Sequence, residues 1–187
     1  MSFEITLILM PSFVKSQTEI HENTDDNLIK PIIQDCQNMF IQPILGSDLY
    51  NEIISQIKAD TLTDLNKTLI NDYLVMPMLK WITAEYIRQG SYKITNKGIV
   101  TMSGDNASVA SQDELMDMSQ RFLNKAEWYA QRTTMYLIEN EEQYPLYCNF
   151  GDGLDVIRPR TNNYRTGFAL GNDRFRKKGG KDSTIDL

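Results

Sequence analysis

The chain has 187 residues, 41% hydrophobic and 10% aromatic, with 19 Lys and Arg against 25 Asp and Glu. That length and apolar content suit one domain with a real core; they exclude wholesale disorder, and 6 prolines and 10 glycines exclude a collagen-like chain. No apolar run approaches the roughly 20 residues that cross a bilayer, so the reading is a soluble protein made in a cytoplasm, with no membrane partner.

Residues 1–26 read as an N-terminal extension. It comprises a β-leaning stretch from Phe3 to Leu9, then Pro11 and a polar linker through His21 to Asp26. Glu4, rather than Lys or Arg, precedes the apolar Ile5 to Met10, which makes a poor export signal. A first helix is expected from about Asn27 to Gln42. Leu28, Ile32, Cys36, Met39 and Phe40 recur there at spacings of three and four, with Ile29 and Ile33 beside them. Pro31 fits only in its first turn, where a missing N–H costs nothing. Pro43-Ile44-Leu45-Gly46 should stop this helix, and Ser47 should cap the next, whose face carries Leu49, Ile53 and Ile57.

A third helix should start near Thr61 or Thr63 and run to about Gln89. It is amphipathic through Leu65, Leu69 and Tyr73, then apolar nearly all round from Met76 to Ile87. A helix apolar on every side is surrounded, so this is the expected central element, and Pro77 should kink it. Tyr92–Thr95 and Ile99–Met102 flank Asn96-Lys97-Gly98, which reads as a β-hairpin with glycine at the position favouring positive φ. Ser111-Gln112-Asp113-Glu114 is a capping box opening a last helix of roughly 45 Å, to about Asn140. Leu115, Met118, Phe122, Ala126, Tyr129, Thr133 and Tyr136 form its main stripe. A second stripe of Leu123, Ala130 and Leu137 suggests a further contact surface, supplied by oligomerisation.

The fold class is therefore mainly α. A bundle of about four helices over residues 27–144 carries a hairpin before its long last helix, and extended arms occupy residues 1–26 and 145–187. The charge is divided between them. Residues 1–155 carry a net of −11, whereas 156–187 carry +5 through Arg158, Arg160, Arg165, Arg174, Arg176, Lys177, Lys178 and Lys181. Such an arm is too polar to offset its own ordering entropy and seeks an acidic surface or a phosphate backbone.

Catalytic signals are missing from this pattern. The single histidine, His21, falls in a polar stretch, and one histidine with Cys36 and Cys148 is too few for a structural zinc site. There is no phosphate-cradling glycine loop and no dinucleotide fingerprint. Gly151-Asp152-Gly153-Leu154-Asp155 lacks the closing glutamate of a calcium loop and reads as a tight turn. Glu139, Glu141 and Glu142 are paired-carboxylate candidates, yet they crowd a helix C-terminus where the dipole disfavours them. The expectation is no enzyme, no cofactor and no metal.

One stretch is more specific than composition. Ile41-Gln42-Pro43-Ile44-Leu45-Gly46-Ser47-Asp48-Leu49-Tyr50-Asn51-Glu52-Ile53 contains a Pro-x-Leu-Gly-x-x-Leu-Tyr core at a helix junction. It resembles the corresponding region of the head–tail connector (adaptor) proteins of tailed bacteriophages, most closely those of Bacteroides phages including the crAss-like group. The later order of aromatic-rich helix, hairpin and long final helix is similar, over about residues 27–140. The resemblance implies a structural virion protein at the portal vertex or neck, made in the host cytoplasm. It implies a homo-oligomeric ring, commonly a dodecamer, between the portal protein and a further neck or tail ring protein. DNA would pass through its channel without specific binding. In that frame the basic arm, Arg158 to Lys178, meets the portal or the next ring, and Asn96 and Lys97 at the hairpin tip face the channel or a subunit. Two other readings stand beside it. One is a nucleic-acid-binding module using the arm, with Tyr164, Phe168 and Phe175 as stacking groups. The other is a hydrolase built on the glutamates.

Overall fold

The computed structural model describes residues 5–90, 92–95, 98–101, 111–148 and 157–160. They form a mainly helical protein. In chain order the elements are α1 (Pro11–Gln17), α2 (Asp26–Cys36), a π-helical turn (Gln37–Ile41), α3 (Gln42–Leu45), α4 (Ser47–Ala59) and α5 (Asp64–Thr68). A second π turn (Leu69–Leu74) leads into α6 (Val75–Gly90), followed by β1 (Tyr92–Thr95), β2 (Gly98–Thr101), α7 (Gln112–Glu139) and α8 (Pro145–Cys148). The two strands pair antiparallel, Tyr92 opposite Thr101 and Thr95 opposite Gly98. Asn96 and Lys97 lie outside the described residues.

The N-terminal segment differs from expectation. Ile5–Leu9 forms no strand, and the supposed polar linker contains helix α1. Pro11 sits in its first turn, where its fixed φ is already helical. Val14 is fully buried and Leu9 and Ile20 nearly so, which holds a helix too short to persist alone.

Helix α2 starts at Asp26, with the Asp25 carboxylate accepting from the Asn27 N–H at 2.9 Å. This start leaves Pro31 inside the helix rather than in its first turn. The buried side is Ile29, Ile32, Ile33 and Cys36, while Leu28 and Met39 of the expected stripe are 61% and 62% exposed. Two causes act together. The stripe is centred on Ile29, Ile33 and Cys36, roughly a quarter turn from Leu28. The π turn then advances the phase by one residue, carrying Ile41 inward, while Met39 shares the outward side of Leu28.

The two π turns share a logic. Each closes with an i→i−5 bond, Gln42 N–H to Gln37 C=O and Val75 N–H to Ile70 C=O, and each stands just ahead of a proline, Pro43 or Pro77. A proline cannot donate to the carbonyl four residues back. For Pro77 that carbonyl belongs to Tyr73, and the Thr133 hydroxyl of α7 donates to it at 2.7 Å. Pro43 therefore does not stop the rod; Gly46, at φ 79°, does.

Thr63 caps α5 by accepting from the Asn66 N–H, and α6 lies at the centre with Met78, Leu79, Trp81, Ile82 and Ala84 all buried. Its broadest contact is with α7. That long helix opens on the full capping box: Ser111 Oγ accepts from Glu114 N–H at 3.3 Å, and Glu114 Oε2 accepts from Ser111 N–H at 2.8 Å. Ser111→Ala should cost about 1 kcal/mol in urea unfolding. The Ser111 N–H, and the Ser111 hydroxyl donating to the same Oε2 at 3.0 Å, hold the Glu114 carboxyl below its ordinary value of 4.5. A carboxyl lowered on folding adds stability above its unfolded pKa, and that is lost as pH falls through the lowered value. The start of α7 should thus fray in acid, read as faster amide exchange at Glu114.

The buried face of α7 is Ser119, Phe122, Ala126, Ala130, Thr133, Thr134 and Leu137. Ala130 and Leu137 belong to the chain's own core, and Leu123 packs against it. The stripe expected to serve oligomerisation is thus internal. The helix needs the width because α6 and the π turn before it both pack on it.

Candidate interaction surface

The Pro-x-Leu-Gly-x-x-Leu-Tyr residues have separate physical jobs. Leu45 and Leu49 are core, 0% and 1% exposed. Tyr50 is buried, and its hydroxyl donates to Asn38 Oδ1 at 3.1 Å and accepts from Gln37 Nε2 at 3.4 Å. Gln37, itself buried, also accepts from Ile8 N–H at 2.6 Å and donates to Thr6 C=O at 3.3 Å. One amide thereby ties the N-terminal segment to the helix junction. Burial pushes the Tyr50 phenol up, partly offset by Gln37.

Gly46 breaks the helical rod and α4 begins at Ser47, which makes no capping bond. In an unbroken helix the Ser47 N–H would reach the Pro43 carbonyl. The break separates these groups, and residues 157–160 satisfy both. Ser47 N–H donates to Ile157 C=O at 2.9 Å, and Arg160 N–H donates to Pro43 C=O at 2.9 Å. The Ser47 hydroxyl, expected as a cap, instead accepts from Ile157 N–H at 2.9 Å and from Gln42 Nε2 at 3.3 Å. Pro159 is buried against Gly46, so closely that a Cβ on Gly46 would lie 2.8 Å from two of its ring carbons. Arg158 and Arg160 are exposed on either side of it. Arg165, Arg174, Arg176, Lys177, Lys178 and Lys181 lie outside the described residues, as do Asn96, Lys97 and the glycine turn at 151–155.

The start of the expected arm is packed. Tyr144 and Tyr147, on either side of the 144/145 boundary, are 2% and 0% exposed. Tyr144 donates to Leu65 C=O at 3.2 Å and meets Tyr136 edge-on, while Tyr136 stacks on Tyr73 at 3.8 Å between centroids. The Arg132 guanidinium lies 4.7 Å from the Tyr73 ring centroid. Burial, with Tyr136 beside it, pushes the Tyr144 phenol far up, so it stays neutral.

On the opposite side of α7 from the core, Trp128 and Met135 are 61% and 65% exposed, one heptad apart. They form a narrow apolar ridge that sequence periodicity passed over, because neither falls on the main stripe. A cavity of about 100 Å³ lies between α2 and α6, lined by Asp35, Cys36, Phe40 and Glu85 among others. Burial first, then Glu85 and Asp35, pushes the Cys36 thiol far up, which keeps it an unreactive core group. His21 is exposed and its Nδ1 accepts from Asn23 N–H at 3.1 Å. Glu139, Glu141 and Glu142 are exposed. Among the described residues no three His, Cys, Asp or Glu side chains gather as a metal site would need, and no helix is long and apolar enough to cross a membrane.

No curated protein and no solved structure matches this chain. A family model does, over residues 41–153, which runs from the end of the first π turn past α8 and covers more than half of the sequence. The chain belongs to that family, a family of unknown function (DUF6712).

Proposed function

We propose that this chain is a head–tail connector subunit, a structural protein that closes into a ring with its copies and docks on a portal protein. The observation that carries the reading is the Pro43–Tyr50 junction, whose residues resemble the connector motif. Three physical features support it. A body with a net of −11 over residues 1–155 suits a channel wall, because like charge keeps moving DNA from adhering. The Trp128–Met135 ridge on the outer face of α7 offers a lateral contact, and a head-to-tail contact between identical copies closes into a ring. The cationic residues after 156 supply a complementary grip on a neighbouring layer. In this role the chain has no chemistry of its own; it lines the DNA channel at the neck of the particle.

Native mass spectrometry and electron microscopy of the full chain, alone and mixed with the portal protein from the same genome, test the proposal. Closed rings, or a portal complex, are expected. A monomer that ignores portal at every concentration overturns it. If that monomer instead binds duplex DNA with a steep salt dependence, the arm's cationic residues make it a nucleic-acid-binding module.

A further inference from the structure

The helix break at Gly46 builds a small, fully specified receptor. It presents one donor, the Ser47 N–H, and two acceptors, the Ser47 hydroxyl and the Pro43 carbonyl, beside a glycine with no side chain to fill the space. Residues 157–160, Ile-Arg-Pro-Arg, match all of these: a carbonyl and an N–H from Ile157, an N–H from Arg160, and the Pro159 ring over Gly46. The hydrogen bonds come from backbone groups of the segment, as when an extended peptide is held by a protein's main chain. A proline in the middle lowers the entropy of ordering it.

We propose that Pro43–Ser47 is a docking site for an extended Ile-x-Pro-Arg peptide, which the chain's own residues 157–160 fill and which the same residues of a second copy can fill in exchange. Every copy carries both receptor and ligand. No bond in the contact requires them to belong to one chain. Exchange of an identical element between protomers is a low-cost route to association. The site also holds Arg160 beside Pro43. The inference does not depend on the ring reading, since a monomer can hold or lend the segment equally well.

The own segment competes at high effective concentration. The test therefore uses the full-length chain with Ile157→Pro and Arg160→Pro, which remove both N–H donors of the segment, and Pro159→Gly, which removes the ring over Gly46, so that the segment's own hold on the site is lost while residues 1–156 are unaltered. A fluorescent peptide of residues 155–162 should bind this variant saturably by anisotropy. Adding Ser47→Ala should weaken it about tenfold, the loss of one buried hydrogen bond. No saturation up to the peptide's solubility limit overturns the proposal, and equal binding with and without Ser47→Ala overturns the site. A second measurement needs no variant. In the unaltered chain the Ile157 and Arg160 amides should be protected from exchange, and excess unlabelled peptide should speed them. Unprotected amides, or protection that excess peptide leaves unchanged, overturn it.

Discussion

Tyr147→Ala is expected to lower the free energy of unfolding by about 3–5 kcal/mol, the range for removing a large buried aromatic ring. Tyr147 is 0% exposed and belongs to the same apolar cluster as Leu49, Ile53 and Leu69. It reaches that cluster from α8, a single turn that contacts α4. The segment contributes little helical stability of its own, so its tyrosines hold it in place. Urea denaturation checks the figure, with the exposed Glu142→Ala expected to shift stability by about 0.5 kcal/mol or less. A loss below about 1 kcal/mol for Tyr147→Ala would mean that the turn after α7 hangs from the body rather than completing it.

The second large effect is at Gly46. Its φ of 79° lies where a side chain is strained, at a cost of about 1–3 kcal/mol. Alanine there adds a close approach to Pro159, whose ring cannot swing aside as a flexible side chain would. Gly46→Ala should therefore destabilise the chain by about 2–3 kcal/mol and release residues 157–160. Amide exchange should show this as lost protection at Ile157 and Arg160 with α6 still protected. Gly90→Ala is the contrasting case. Gly90 has no positive φ, and a Cβ there meets only Tyr86 at 3.4 Å, an ordinary contact. That exchange should be neutral or slightly stabilising.

Much of the fold was legible where one local signal dominated. The capping box Ser111–Glu114 is short-range chemistry, a start near Thr61 or Thr63 narrows in the structure to the Thr63 cap, and the encircling apolar residues of α6 have no other use than burial. Helix α1 was hidden because its stability comes from Val14 meeting a distant core, which no seven-residue window reveals. The π turns were hidden for a different reason. An added residue in a helix alters the phase of everything after it, and only the tertiary partner tells which phase is kept. This is why Ile41 turned inward, whereas Met39 simply shares the outward side of Leu28. The prolines were the available clue: Pro43 and Pro77 each lack a donor, and each is preceded by a widened turn. At the candidate surface, Ser47 read as a cap because the residue type favours it; its hydroxyl is used by Ile157, 110 positions away. The Trp128–Met135 ridge keeps a helical period but is only two residues wide and lies off the main stripe, and the seating of Pro159 on Gly46 joins distant positions, so spacing alone singled out neither.

The chain's two tryptophans occupy opposite environments. Trp81 is 3% exposed and stacked on Phe40, whereas Trp128 stands 61% exposed on the outer face of α7. Intrinsic emission therefore has two separable sources, a blue-shifted one that reports on the interior and a red-shifted one open to aqueous quenchers. Any neighbour that covers the α7 ridge should shield the second from iodide while leaving the first unaltered, giving assembly an optical signature that needs no added dye.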